Sequence, residues 1–284
     1  MNSSRAAALR SLLREPSLHI MPCCYDGLSA RLIERAGFPL TFMSGFSVAA
    51  SRLGLPDTGL ISYGEMLDQG RSILESTSIP VIGDGDTGYG NTMNVERTVE
   101  GYARAGFAAI MIEDQRAPKR CGHMSGKDVV DREEALTRLR AAVRARDAGA
   151  DILILARTDA RATLGIDEAL WRMEAFQDLG ADILFLEAPE SIAEMEAFNR
   201  RIDKPTMANM IEGGKTPVVS PAALADLGFK IAAYPLALIG SAVMAMEKAL
   251  SDLKSGNMPL EQVGFEHLLE IVGLDAYNRK LKDS

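Results

Sequence analysis

The chain is poor in the residues that site chemistry most often uses. Among 284 residues there are three cysteines, three histidines and one tryptophan. Two of the cysteines, Cys23 and Cys24, are neighbours, so no disulfide framework can be drawn. A reduced, cytoplasmic setting is the expectation. Basic residues are not in excess: 31 Lys and Arg stand against 39 Asp and Glu, a formal net charge of −8. A general nucleic-acid binder needs a basic face, so that class is excluded; a small anion in a local basic pocket is not. Long apolar runs are missing as well. The nearest, Ile231 to Met246, is broken by Tyr234, Pro235, Gly240 and Ser241, and no membrane partner is expected. Residues 1–16 hold no apolar signal core. There is no Gly-x-Ser-x-Gly elbow, no P-loop and no His/Cys cluster with zinc-ligand spacing.

What is present is ordinary globular usage, with 47% hydrophobic and 25% charged residues, in a chain long enough to bury a large core. Short apolar runs recur: Leu18–Met21, Leu40–Met43, Ile79–Ile82, Ala108–Ile112, Ile152–Ala156, Ile183–Leu186, Pro205–Met207 and Lys230–Ala233. Amphipathic stretches such as Asn94–Ala105, Arg132–Ala148, Ile166–Leu179 and Ser191–Arg200 lie between them. Five stretches close on a glycine (Gly37, Gly106, Gly149, Gly180, Gly228), as a left-handed helix cap would, and the next residue opens a strand. Eight such units spell an α/β fold of the (β/α)8 TIM-barrel type, with a doubly wound open sheet as the alternative. Residues 1–284 read as a single domain whose last part, from about 255, is a helical extension.

In a barrel, catalytic side chains belong at the C-terminal ends of the strands. Polar residues do follow the runs: Tyr25-Asp26, Ser44-Gly45, Asp84 and Asp86, Glu113-Asp114, Arg157-Thr158-Asp159, Glu187 and Asn209, with Tyr234-Pro235 after the last. Polar, solvated loops would give part of this pattern without any site. Two carboxylates ~5 Å apart repel by about 3 kcal/mol at an effective dielectric of 20, so protons or a cation must relieve Asp84, Asp86 and Glu113. All-oxygen donors imply Mg²⁺, with Mn²⁺ as a substitute. A glycine-rich turn held by Asx hydrogen bonds is the plainer reading of Asp84 and Asp86.

The connection after the fourth run is about 17 residues long and contains Lys119-Arg120-Cys121-Gly122-His123. Loops of that length in a compact barrel tend to be active-site lids. A lone cysteine is ordinarily packing; one set among cations and glycines reads as a reactive thiol, either an acid–base group or a nucleophile.

That run resembles the signature of the isocitrate lyase / phosphoenolpyruvate mutase superfamily. The likeness extends to Ser44-Gly45, Asp57, the stretch Gly83 to Gly90, Ile112 to Gln115, Ala156 to Asp159 and Glu187-Ala188-Pro189. It covers nearly the whole chain and implies a Mg²⁺-dependent barrel, usually a homotetramer of dimers that exchange the eighth helix. The expected exchanged element is Pro235–Leu253. The resemblance is strongest to the 2-methylisocitrate and 2,3-dimethylmalate lyases, which cleave a C–C bond of a 2-hydroxy dicarboxylate to a 2-oxo acid such as pyruvate plus a saturated acid. Phosphonate mutases and oxaloacetate hydrolases or decarboxylases are the alternatives within the family; a non-catalytic barrel is the alternative outside it.

The likeness implies Asp57, Asp84, Asp86 and Glu113 at the metal, directly or through water. It implies Cys121 as proton donor, with Lys119, His123, Asn209 and Arg120 around the developing charge. Tyr25, Ser44, Gly45, Gly122, Arg157 and Glu187 would contact a small carboxylate substrate. A third carboxylate, as in methylisocitrate, would need a further cation, for which Arg120, Lys127 and Lys215 are available. Trp171, Cys23, Cys24 and the 14 methionines are expected to pack, and no partner is assigned to His19 or His267.

Overall fold

A computed structural model describes residues 4–122 and 126–282. Eight parallel strands run β1 His19–Cys24, β2 Thr41–Met43, β3 Val81–Asp84, β4 Ala109–Glu113, β5 Leu153–Thr158, β6 Ile183–Leu186, β7 Thr206–Asn209 and β8 Ile231–Tyr234. They pair in chain order and close where β8 meets β1, with His19 opposite Ile231. The barrel is therefore closed and the open-sheet alternative falls away. Each apolar run of the sequence falls on a strand, because a strand buried on both faces carries no polar alternation.

The period of two along a strand divides the core. Cys23, Phe42, Ile82, Met111, Leu155, Phe185, Met207 and Ala233 fill the barrel interior. Their neighbours Cys24, Met43, Val81, Ile110, Ile112, Ile154, Leu184 and Ala232 face outward and pack with the helices. The helices start where a side chain can accept their orphan N–H groups: Asn91, Asp131, Ser191 and Ser220 each cap one. They stop at glycines such as Gly106, whose φ of 98° suits no branched residue.

The helix Arg5–Arg14 seals the N-terminal end of the barrel, with Ala6 and Leu9 in the interior cluster. The last barrel helix, Ala237–Lys254, begins two residues after the expected Pro235 and buries none of its residues. The helical extension consists of two helices, Phe265–Val272 and Leu274–Lys282. No helix among the described residues is long and apolar enough to cross a membrane.

Several plain expectations resolve here. Trp171 packs under the Arg132 guanidinium, 3.8 Å from the ring centroid. His19 Nε2 lies 2.8 Å from the Leu12 carbonyl oxygen, and His267 Nδ1 lies 3.3 Å from Glu270. Many methionines are core, but Met93, Met244, Met246 and Met258 are exposed.

Candidate active site

The interior alternation runs to the C-terminal ends of the strands and, at three of them, just past. Two residues beyond Phe42, Ile82, Met111, Leu155, Phe185, Met207 and Ala233 stand Ser44, Asp84, Glu113, Arg157, Glu187, Asn209 and Pro235, and all seven line one cavity. The barrel thus turns a local period into a ring of polar groups at its C-terminal mouth. The cavity measures about 240 Å³, which suits a small acid rather than a nucleotide. Asp57, Lys119, Arg120, Cys121 and Gly122 reach the same cavity from loops.

The ring is dense in buried charge. Register pairs Glu113 with Arg157 on adjacent strands. Arg157 Nε lies 3.3 Å from Glu113 and 2.8 Å from Asp159, and its NH2 lies 3.1 Å from Glu187. Burial alone would lower the affinity of this guanidinium for its proton; Asp159, Glu187 and Glu113 hold it well above its ordinary value instead. Lys119 Nζ sits 2.6 Å from Asp57 and 2.7 Å from Asp86. Its pKa is likewise raised, burial being overcome by Asp86, Asp84, Glu113 and Asp57. Asp84 accepts from the Asp86 N–H at 3.0 Å and the Gly45 N–H at 3.1 Å. Even so, burial, then Asp86 and Asp57, push its carboxyl up to about 6 against the pull of Lys119. Burial, with Asp159 and Asp84 adding to it, holds Glu113 well above the usual carboxylate range although Arg157 and Lys119 oppose this.

Could this cluster hold a cation? Among the described residues no three acidic, histidine or cysteine side chains converge into a cage. Mg²⁺ needs none, since it binds one or two carboxylates and keeps several waters. Glu113 Oε1 has no hydrogen-bond partner among the described residues, and Asp84 holds its proton to about 6. Both mark acids short of positive charge. The donors are all hard oxygens, so the residues fit Mg²⁺ or Mn²⁺.

The long loop folds down over the mouth. Gln115 bridges to Val129, and the Gln115 amide clasps both backbone groups of Arg120, at 2.8 and 2.9 Å. The Cys121 N–H donates to the Asp57 carbonyl at 3.2 Å, and the half-buried thiol residue lines the cavity. Gly122 has to be glycine: a Cβ there would lie 2.4 Å from Arg157 NH2 and 2.5 Å from Glu187.

Some sequence-based assignments come out differently. Tyr25 continues the β1 alternation but is not among the cavity-lining residues; it packs beside the outer cluster. The Gly45 N–H, expected on the substrate carboxylate, is given to Asp84 at the end of the adjacent strand. Lys119, expected around the developing charge, lines the cavity and is ion-paired there with Asp57 and Asp86. Asp86 meets Lys119 and is not itself a lining residue. Lys127 is buried against Asp159 and Lys215 is exposed off the cavity, which leaves Arg120 alone of the three candidate cations in the lining. His123 lies outside the described residues. Sequence reasoning missed the apolar wall of Cys23, Phe42, Phe46, Ile211 and Leu236. The period-two continuation was the signal for the strand members; nothing local marked Phe46 or Leu236.

The Phosphoenolpyruvate phosphomutase family matches residues 9–254. The chain is 43% identical over 274 residues to a 2,3-dimethylmalate lyase of Eubacterium barkeri, covering 95% of this chain and 94% of that one. It is 40% identical over 277 residues to a probable 2-methylisocitrate lyase of Corynebacterium glutamicum, covering 97% and 90%. Among solved structures, oxaloacetate acetylhydrolase in complex with 3,3-difluorooxalacetate superposes with a TM-score of 0.93 at 37% identity, over 96% of this chain and 95% of that one. Phosphonopyruvate hydrolase in complex with oxalate and Mg²⁺ superposes with a TM-score of 0.87 at 30% identity, over 99% of both.

Proposed function

The chain belongs to the phosphoenolpyruvate mutase / isocitrate lyase superfamily, and from that premise we propose that it is a Mg²⁺-dependent carbon–carbon lyase acting on a 2-hydroxy dicarboxylate of the 2,3-dimethylmalate type. One observation carries the reading: a thiol, Cys121, shares a small cavity with a paired guanidinium and a cation-seeking acid cluster.

Asp84 would hold the ion, with Asp57, Asp86 and Glu113 bound through water or directly. Bound there, Mg²⁺ would supply Lewis acidity that makes a 2-hydroxyl easier to deprotonate. Arg157 fixes the adjacent carboxylate with its planar fork. The hydroxyl proton leaves to a carboxylate of the cluster. C2 becomes a carbonyl and the C2–C3 bond breaks, its electron pair moving into the second carboxylate. Lys119 and Asn209, with Arg120 and His123 by resemblance, offset that charge. Cys121 then protonates C3, giving pyruvate and the saturated acid.

The apolar wall of Phe46, Ile211, Pro235 and Leu236 favours alkyl substituents over a third carboxylate. Arg120 in the lining favours 2-methylisocitrate as the second reading. The test is pyruvate release from 2,3-dimethylmalate, 2-methylisocitrate and oxaloacetate with Mg²⁺. Turnover of dimethylmalate above methylisocitrate supports the first reading and the reverse order the second. Oxalate and acetate from oxaloacetate alone would replace both with a hydrolase.

The unburied helix Ala237–Lys254 exposes Val243, Met244, Met246, Leu250 and Leu253, which supports its exchange between copies in a homotetramer. Light scattering gives the mass that checks this. The proposed setting is the cytoplasm.

A further inference from the structure

The loop that carries Cys121 is held down by two ammonium groups of different character. The partners of Lys119 are Asp57 and Asp86, both in the acid cluster that would also face the cation. Lys127 is independent of that cluster. Its Nζ lies 2.7 Å from Asp159 Oδ1 and donates to the Gly122 carbonyl, and both charged side chains are almost wholly buried. Asp159 is at the same time a partner of Arg157, accepting from its Nε at 2.8 Å and its NH2 at 3.1 Å. The base of Asp159 is rigid, because its N–H and the neighbouring Thr158 hydroxyl donate to Asp114 at 2.9 and 2.6 Å. One fixed carboxylate therefore joins the lid to the guanidinium of the site.

We propose that Lys127 is a positioning residue: its ion pair with Asp159 and its bond to the Gly122 carbonyl latch the described stretch 114–122 closed, setting Cys121 over the cavity, and tie that closure to the pose of Arg157. An apolar clamp in the same place would hold the lid down without release. A buried ion pair adds little net stability, because both ions regain hydration when they separate. It holds one geometry and still allows opening, which a lid must do twice in each turnover. Lys127 does not line the cavity; among the described residues it reaches the reaction through Gly122 and Asp159.

The proposal rests on the loop being the lid of the proposed lyase site, but its test reads no turnover. Native enzyme with Mg²⁺ is treated with iodoacetamide, and alkylation of Cys121 is followed by mass spectrometry; the fully buried Cys24 reports global unfolding. In Lys127→Met the Cys121 rate should rise by about tenfold or more, the shift in lid population expected from losing one charge-assisted hydrogen bond, with Cys24 unmodified. Lys127→Gln retains an N–H for the Gly122 carbonyl and should fall between the two. With a working substrate, kcat should drop in the same order while the pH profile stays unchanged, since no titrating group of the chemistry is removed. A folded variant that alkylates Cys121 at the native rate overturns the latch. So does loss of the fold in both variants, which would make the pair a core strut. A failed substrate assay beside a raised alkylation rate would leave the latch standing and count against the lyase reading alone.

Discussion

At its N-terminal end the barrel is closed by the helix Arg5–Arg14, whose Ala6 and Leu9 join the interior cluster that holds Leu40, Ile183 and Ile231. The polar groups there bond to backbone: Arg5 to the Leu74 carbonyl at 2.7 Å, and Lys230 to those of Glu15 and Ser17. At the C-terminal end Asp57, Asp84, Asp86, Glu113, Lys119, Arg157, Asp159 and Glu187 are all buried side by side. Both ends belong to the same eight strands. One is built as a core sealed by apolar side chains. The other concentrates charges that answer one another more than they meet backbone. Burying such charge costs stability unless it is paired, so its presence at one end marks where this fold gives up stability for chemistry.

The largest test of this division is Cys121→Ser. Pyruvate release should fall by about 10²–10⁴-fold, the size of a general-acid contribution, with an unchanged melting temperature. Near-native turnover would remove the thiol from the chemistry and leave the open end without a proton donor. The converse belongs to the closed end. Leu9→Ala should lower stability in urea by about 2–5 kcal/mol through the cavity it leaves, with kcat intact. A matching loss of kcat would show that the two ends are coupled.

A third, smaller effect is specific to the acid cluster. Asp84 holds its proton to about 6, and Mg²⁺ must displace it. Metal affinity should therefore fall as pH drops below about 6, by up to ~tenfold per unit, and level off above. Calorimetric titrations at about pH 5 and about pH 8 measure this; equal affinities would take Asp84 off the metal. In chelated protein the sign of stability also follows. A carboxyl whose pKa is raised from 3.8 by folding favours the fold most when protonated. That contribution is lost as pH rises from about 4 through about 6, the reverse of ordinary acid lability. The smallest effect is Arg10→Ala, which removes a 3.2 Å ion pair with Asp151 at the closed end. Both partners are at least two-fifths exposed, and the change should cost less than about 1 kcal/mol in the same urea assay.

Much of the fold was legible in the residues because its signals are local. The eight apolar runs and the Gly caps depend on neighbours in sequence, and each run marks a strand to within a few residues. The cavity ring was legible for the same reason: Asp84, Glu113, Arg157, Glu187 and Asn209 follow their strands in an unbroken alternation. Tyr25 shows the limit. It holds the equivalent place after β1, yet the chain turns into the Asp26-capped helix there and the ring packs to the side.

The amino-acid sequence alone determined the strands, their inward faces and the set of acids at one rim, since a period of two and a period of 3.6 are properties of contiguous residues. The tertiary structure decided which charges meet. Lys119 finds Asp57 across 62 positions, Lys127 finds Asp159 across 32, and the Gly45 N–H goes to Asp84 across 39. Pairings like these follow from the path of a loop through space and from the cost of leaving a buried charge unanswered, and neither is written in any short stretch of chain.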